Sequence, residues 1–147
     1  MSDLNIVEIL LVEDNPNDVE LTLRALKKAN ISNQIHVVRD GEEATEFIFC
    51  EGKFTNRRIE DMPSVILLDL KLPKIDGLDI LKRVKSDPRT KSIPVIVLTS
   101  SREQKDILES YNLGTNSYIV KPVNFEQFAA AVQQLGLYWL VLNQPPK

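Results

Sequence analysis

The stretch Ser64-Val65-Ile66-Leu67-Leu68-Asp69-Leu70-Lys71-Leu72-Pro73 sets four consecutive apolar residues directly before an aspartate and a proline-bearing turn. An unbroken apolar run suits a parallel strand covered on both faces, where the alternation of polar and apolar residues is lost. The acid then stands just beyond the strand's carboxyl end, where open parallel sheets collect ligands and chemistry. The pattern repeats along the chain. Ile9-Leu10-Leu11-Val12 precedes Glu13-Asp14, Val95-Ile96-Val97-Leu98 precedes Thr99-Ser100, and Tyr118-Ile119-Val120 precedes Lys121-Pro122. Three acids, a hydroxyl pair and an ammonium are therefore predicted to meet at one edge of one sheet.

Outward from this strand, strand and helix signals alternate five times, the pattern of an α/β fold. Strands are expected over Val7–Val12, Gln34–Arg39, Ser64–Asp69, Ile93–Leu98 and Ser117–Val120. Asn15-Pro16 reads as a cap with proline in the first turn, opening a helix to about Ala29. Further helices are expected over Glu42–Glu51, Asp76–Ser86, Arg102–Leu113 (ended by Gly114) and from Asn124 to about Leu142. The polar stretch Gly52–Pro63 reads as a loop without an element of its own. The fold class is α/β, a doubly wound five-stranded parallel sheet with helices on both faces. One domain is expected over residues 1–147, with a core of about 5–135 and a C-terminal helical extension of about 136–147.

Composition narrows the function. The chain has 147 residues, 43% hydrophobic and 27% charged, which fits a single globular core and excludes a largely disordered chain. A formal charge of -3 and a pI near 5.2 argue against direct nucleic-acid binding, which needs a basic face. No apolar run reaches the length of a membrane span, and no signal peptide is read at the start. The single Cys50 permits no internal disulfide, and a cytoplasmic location is expected. Cys50 itself reads as an inert, partly buried thiol on a helix, and His36, on a strand without a catalytic partner, is assigned no role.

The chemistry of the cluster follows from its residue types. Adjacent acids at a strand end cannot both enter a core, because unpaired charges are too costly to bury. Beside Asp69, Glu13 and Asp14 form a nest of three carboxylates whose repulsion Mg²⁺ (or Mn²⁺) would relieve, using oxygen ligands, waters and a phosphate. A carboxylate can also attack phosphorus to give an aspartyl phosphate, and Asp69, ending the central strand, is the best placed to do so. Thr99, with Ser100 beside it, would hydrogen-bond a phosphoryl oxygen, and Lys121 would neutralise another as a point charge.

Taken together, these motifs resemble the receiver domain of response regulators, the phosphoacceptor module of two-component signalling, over essentially the whole chain. The family's acidic pair matches Glu13-Asp14, its phosphorylated aspartate Asp69, its switch hydroxyl Thr99 and its lysine Lys121. Its Leu-Pro-x-x-Asp-Gly loop matches Leu72-Pro73-Lys74-Ile75-Asp76-Gly77, and its aromatic switch position matches Tyr118. The resemblance implies the flavodoxin-like receiver fold, a cis peptide bond before Pro122, and a third protein ligand to the metal in the main-chain carbonyl of Lys71. The first acid is Glu rather than Asp, which implies Asp14 as the direct metal ligand and Glu13 acting through water. It further implies a sensor histidine kinase as phosphodonor, and a switch in which Thr99 moves towards the phosphoryl group while the Tyr118 ring turns inward.

The loop from Glu51 to Pro63 and the tail Leu137-Tyr138-Trp139-Leu140 are similar to the small regulators paired with bacterial phytochromes. That likeness implies a stand-alone regulator, a phytochrome-type kinase and a homodimer. Ile107, Tyr111, Tyr118, Tyr138 and Trp139 are candidates for its output or dimer face, with packing of the last helix the alternative for the Tyr138-Trp139 pair. On the first helix, a core stripe of Leu21, Ala25, Leu26 and Ala29 leaves Val19 and Leu23 outside it, as candidates for kinase docking. Within the family, the alternative role is an intermediate carrier passing phosphate to a histidine phosphotransfer protein. Outside it, an aspartate-nucleophile phosphohydrolase would need a second acid where Lys71 stands. A flavodoxin-like electron carrier would need a phosphate loop where Glu13-Asp14-Asn15-Pro16 would repel one. A signalling role rather than an enzymatic one is expected.

Overall fold

The computed structural model describes residues 8–28, 34–58, 62–100, 103–121, 126, 127 and 130. Along it run β1 (Glu8–Val12), α1 (Pro16–Lys28), β2 (Gln34–Val38), α2 (Gly41–Phe49), β3 (Val65–Leu68), α3 (Gly77–Ser86), β4 (Val95–Thr99), α4 (Gln104–Leu113) and β5 (Ser117–Val120). The strands form one parallel sheet in the order β2-β1-β3-β4-β5, as the doubly wound reading requires. The chain order reverses between β1 and β3, so the crevice beyond their carboxyl ends is the topological switch point.

Strand alternation divides the core in two. Ile9, Leu11, Val65, Leu67, Ile96, Leu98 and Ile119 face α1 on one side of the sheet. Leu10, Val12, Ile66, Leu68 and Val95 face α2 and α3 on the other. All four residues of β3 are buried, and so are all five of β4, which explains their unbroken apolar sequence. Local signals place the helices between them. Asn15 Oδ1 accepts from the backbone N–H groups of Asn17 (2.9 Å) and Asp18 (3.2 Å), capping α1 ahead of Pro16. Asp40 caps α2 by accepting from Glu43 N at 2.7 Å, and Asp76 accepts from Leu78 N at the start of α3. Gly114 ends α4 in the left-handed region (φ 108°), where a glycine is free of steric cost.

Three expectations are corrected. The stretch after α2 carries a short 3-10 turn at Gly52–Phe54, closed against the domain by ring contacts of His36, Phe47 and Phe54. Cys50 is no ordinary helical residue but the left-handed C-cap of α2 (φ 57°). On α1 the core stripe is Val19, Thr22, Ala25 and Leu26, with Leu23 packed at its margin, whereas Leu21 is 44% exposed. At 3.6 residues per turn Leu21 lies about 200° round the helix from Val19, so the two cannot share a face. Val19 and Leu23 therefore do not form an exposed docking pair. Glu126, Gln127 and Ala130 are helical, in keeping with a last helix. Its Asn124 cap, Pro122, Tyr138, Trp139 and the proposed extension of about 136–147 lie outside the described residues. No helix among the described residues is long and apolar enough to cross a membrane.

Candidate functional site

Hydrogen bonds of the sheet carry straight into the site. Glu13 N donates to Val38 O (3.0 Å) and Asp69 N to Val12 O (3.1 Å), so both acids continue the strand ladder at the switch point. There Glu13, Asp14 and Asp69 each present an oxygen within 4.8 Å of the others. Glu13 and Asp69 are buried, whereas Asp14 is exposed. The three carboxylates read from strand ends thus meet in space.

Lys121 enters from the end of β5, where its N–H donates to Thr99 O at 2.9 Å. Its ammonium lies 2.6 Å from Glu13 Oε1, 2.9 Å from Asp18 Oδ2 and 3.0 Å from Asp69 Oδ2. Asp18, in the first turn of α1, is a member of the site that strand-end reading missed. The signal was present: a helix opening directly after β1 returns its first-turn side chains to the strand end. One ammonium cannot neutralise all these acids. Burial pushes Glu13 up to about 7 against the opposing Lys121 hydrogen bond, and the Asp69 charge pushes the same way. Burial pulls Lys121 down, but its hydrogen bonds to Glu13, Asp18 and Asp69 outweigh this and hold it above the usual lysine value.

The loop after β3 forms the floor of the site. Asp69 Oδ1 accepts from Lys71 N at 3.2 Å, so both oxygens of this carboxylate are held by donors. Gly77 N donates to Leu70 O, and a Cβ on Gly77 would stand 2.4 Å from Asp69 O. Only glycine lets α3 start this close to the aspartate. Gly41 plays the same part for the loop's far side, donating to Pro73 O where a Cβ would meet Ile75 O at 2.4 Å. Asp14, Leu70, Lys71, Leu72, Pro73, Lys74 and Asp76 line an open cavity of about 330 Å³ beside the carboxylates. The Lys71 side chain reaches out of it to Asp106 on α4, 4.0 Å away.

Thr99, ending β4, is fully buried, whereas Ser100 is exposed. Tyr118 is half-buried on β5, and on α4 Ile107 is half-buried while Tyr111 is 49% exposed. Leu108, at 55% exposure, is an apolar surface residue of α4 that the sequence reading did not single out.

Residues 9–133 match the response regulator receiver domain family. The chain belongs to that family. Its similarity to Response regulator Rcp1 of Synechocystis sp. is 39% identity over 132 residues, covering 90% of this chain and 88% of Rcp1. The solved Mn²⁺-bound form of Rcp1 superposes with a TM-score of 0.76 at 38% identity, over 96% of this chain and 99% of that one. The bacteriophytochrome response regulator RtBRR gives 0.84 at 53% identity, over 96% and 84% of the two chains. The phosphorylated cyanobacterial phytochrome response regulator RcpA gives 0.76 at 41% identity, over 92% and 94%. The receiver-domain chain is thus a response regulator similar to those of phytochromes, and such membership implies a histidine kinase as partner. The phosphohydrolase and electron-carrier readings fall away. Receiver domains bind a divalent metal, and an all-oxygen set carrying more negative charge than Lys121 can balance fits such an ion.

Proposed function

We propose that Asp69 is the phosphoacceptor of this regulator, taking its phosphoryl group from the phosphohistidine of a phytochrome-type sensor kinase. The observation that supports this most is the placement of the Asp69 carboxylate. It is held on both oxygens by Lys71 N and Lys121 Nζ, in an acidic cluster whose exposed member, Asp14, lines an open cavity. Both donors fix the direction of the nucleophile before the donor arrives, which is the part of phosphoryl transfer that a protein supplies by positioning. As the O–P bond to Asp69 forms, the P–N bond breaks and the kinase imidazole leaves. Asp14, Asp69 and the carbonyl of Lys71 would hold Mg²⁺, with Glu13 acting through water, and the ion would supply charge neutralisation of the phosphoryl oxygens. Thr99 and Lys121 would then bind the new dianion, with Tyr118 on the neighbouring strand following Thr99. The domain works in the cytoplasm as one receiver unit.

Incubation with acetyl phosphate and Mg²⁺ should add one phosphoryl group by intact mass, and Asp69→Asn should abolish the adduct. No adduct on the wild type, or equal labelling of the variant, would reject the assignment.

Assembly belongs to the same proposal. The exposed Leu108 and Tyr111 on α4 provide an apolar patch, and the sequence holds two further large aromatics, Tyr138 and Trp139, of the kind that most often carries interface energy. A homodimer is expected, weakened by Trp139→Ala. Sedimentation across a concentration series, with and without beryllofluoride, checks it: a strictly monomeric wild type in both states would end the dimer proposal.

A further inference from the structure

We propose that Lys74 is a positioning residue for phosphoryl uptake: its ammonium, paired with Glu42 and Asp40, holds the loop after β3 in a strained turn that sets the Lys71 backbone against Asp69. The inference rests on Asp69 as phosphoacceptor and deepens it by naming what fixes the loop around it. Lys74 has φ 71°, in the left-handed region that favours glycine, and Ile75 N donates to Pro73 O across it at 2.8 Å. A hydrogen bond spanning two residues about a positive φ is a γ-turn of the rare, strained hand. Such a backbone persists only where its surroundings determine it, and here they lie on α2. Lys74 Nζ stands 3.1 Å from Glu42 Oε1 and 3.6 Å from Asp40 Oδ2. Asp40 serves two ends at once, since its Oδ1 caps α2 through Glu43 N while its Oδ2 faces the ammonium. Gly41 N donates to Pro73 O at 3.1 Å, so this carbonyl is shared between the turn and the helix.

The turn bears on the site through the way its loop is tied. Gly77 N closes the base on Leu70 O at 3.0 Å, and Lys71 N reaches Asp69 Oδ1 at 3.2 Å. Pro73 has a fixed φ and restricts Leu72 before it, so the setting of the turn passes to the Lys71 peptide through few free torsions. The clamp itself is weak. The Lys74 and Glu42 side chains are 57% and 58% exposed, and exposed pairs are small in energy and screened by salt. Two such pairs set against one strained residue leave the loop held by a narrow margin, so the charge on Lys74 decides how well the loop is set before a phosphodonor arrives.

The test compares Lys74→Met with Lys74→Gly. Both lack the ammonium, so its field on bound ions cancels between them, but only glycine takes the positive φ without strain. In metal-free protein the Ile75 amide of Lys74→Met should exchange with solvent about two- to tenfold faster than in wild type, the range expected for losing two exposed ion pairs. Lys74→Gly should exchange more slowly than Lys74→Met. Beryllofluoride binding at saturating Mg²⁺ should follow the same order, with Lys74→Met about fivefold or more weaker than Lys74→Gly, since the strain of one left-handed residue separates them. Glu42→Gln should weaken beryllofluoride binding in the wild type and leave Lys74→Gly unchanged, because a glycine turn has no need of the pair. Equal values for Lys74→Met and Lys74→Gly overturn the proposal, since the ammonium would then act by its charge alone. So does faster exchange in Lys74→Met with beryllofluoride affinity equal to that of Lys74→Gly, which would cut the turn off from the site, and so does an equal effect of Glu42→Gln in both backgrounds. A wild type that binds no beryllofluoride strikes the phosphoacceptor assignment instead, while the metal-free exchange comparison still upholds or rejects the clamp.

Discussion

Glu13 carries the most unusual electrostatics of any residue in the site. Its carboxyl is buried, it shares Lys121 with two other acids, and it is held up at about 7. In the unfolded chain the same group titrates near 4.5. Between these values the folded state binds the extra proton, so stability should fall as pH rises through this window in the absence of divalent cations. The gain from protonation is fully present below about pH 4.5, fades through about 7, and is absent above it. Lys121, raised rather than lowered, stays charged throughout this range and adds no slope. Urea unfolding at pH 5, 6, 7 and 8 should show a loss on the order of 1–3 kcal/mol for wild type. Glu13→Gln should be nearly flat, and an equal slope in both proteins would show that another group is responsible. The acids themselves were legible in the sequence because each follows an apolar run. That Glu13 would be buried against Lys121 was not, since adjacent residues on a strand end differ in exposure only once the neighbouring strands are placed. Asp18 escaped for a related reason: it belongs to a helix, and strand-end reading looks only at strands.

At the scale of elements, the strands were legible to within about two residues, because apolar runs, caps and glycine stops are local signals. The stripe of α1 was not. Its apolar residues, Val19, Leu21, Leu23, Ala25 and Leu26, are spaced so closely that two faces compete, and Thr22 occupies a core position that composition alone would send outward. The sheet chooses between them by packing Val19 and Leu26 against Ile9, Leu11 and Leu67. Val19→Ala should therefore destabilise the domain by about 1–3 kcal/mol, through lost burial and the cavity left behind. Leu21→Ala, at an exposed position, should stay within about 0.5 kcal/mol. Chemical denaturation at fixed pH and metal concentration measures both. The reverse order would restore the stripe inferred from sequence. The short turn after α2 escaped prediction because three residues carry no periodicity. It is held by aromatic contacts with a β2 residue distant in sequence.

For the whole molecule, strand order converts local motifs into one site. Parallel neighbours β1 and β3 end side by side at the point where the winding reverses, so Glu13, Asp14 and Asp69, far apart in the chain, become neighbours. The sheet thereby concentrates negative charge in one place, and folding must hold it there against its own repulsion. A cation that binds only this assembled cluster must stabilise the folded state by mass action, by about 2.7 kcal/mol at a hundredfold excess over its dissociation constant. For a domain of this size, each kcal/mol corresponds to about 3–5 °C in melting temperature. Millimolar Mg²⁺ should accordingly raise the melting temperature of the wild type at pH 8. Asp14→Ala should remove most of that rise, and Glu13→Ala should remove less, because its contact to the ion runs through water. Without the ion, Asp14→Ala should melt no lower than wild type, since it removes an exposed repelling charge. Calorimetric melts across a Mg²⁺ series would separate these effects. A full metal-induced rise in Asp14→Ala would place the ion on other ligands, while leaving the fold and the family unaffected.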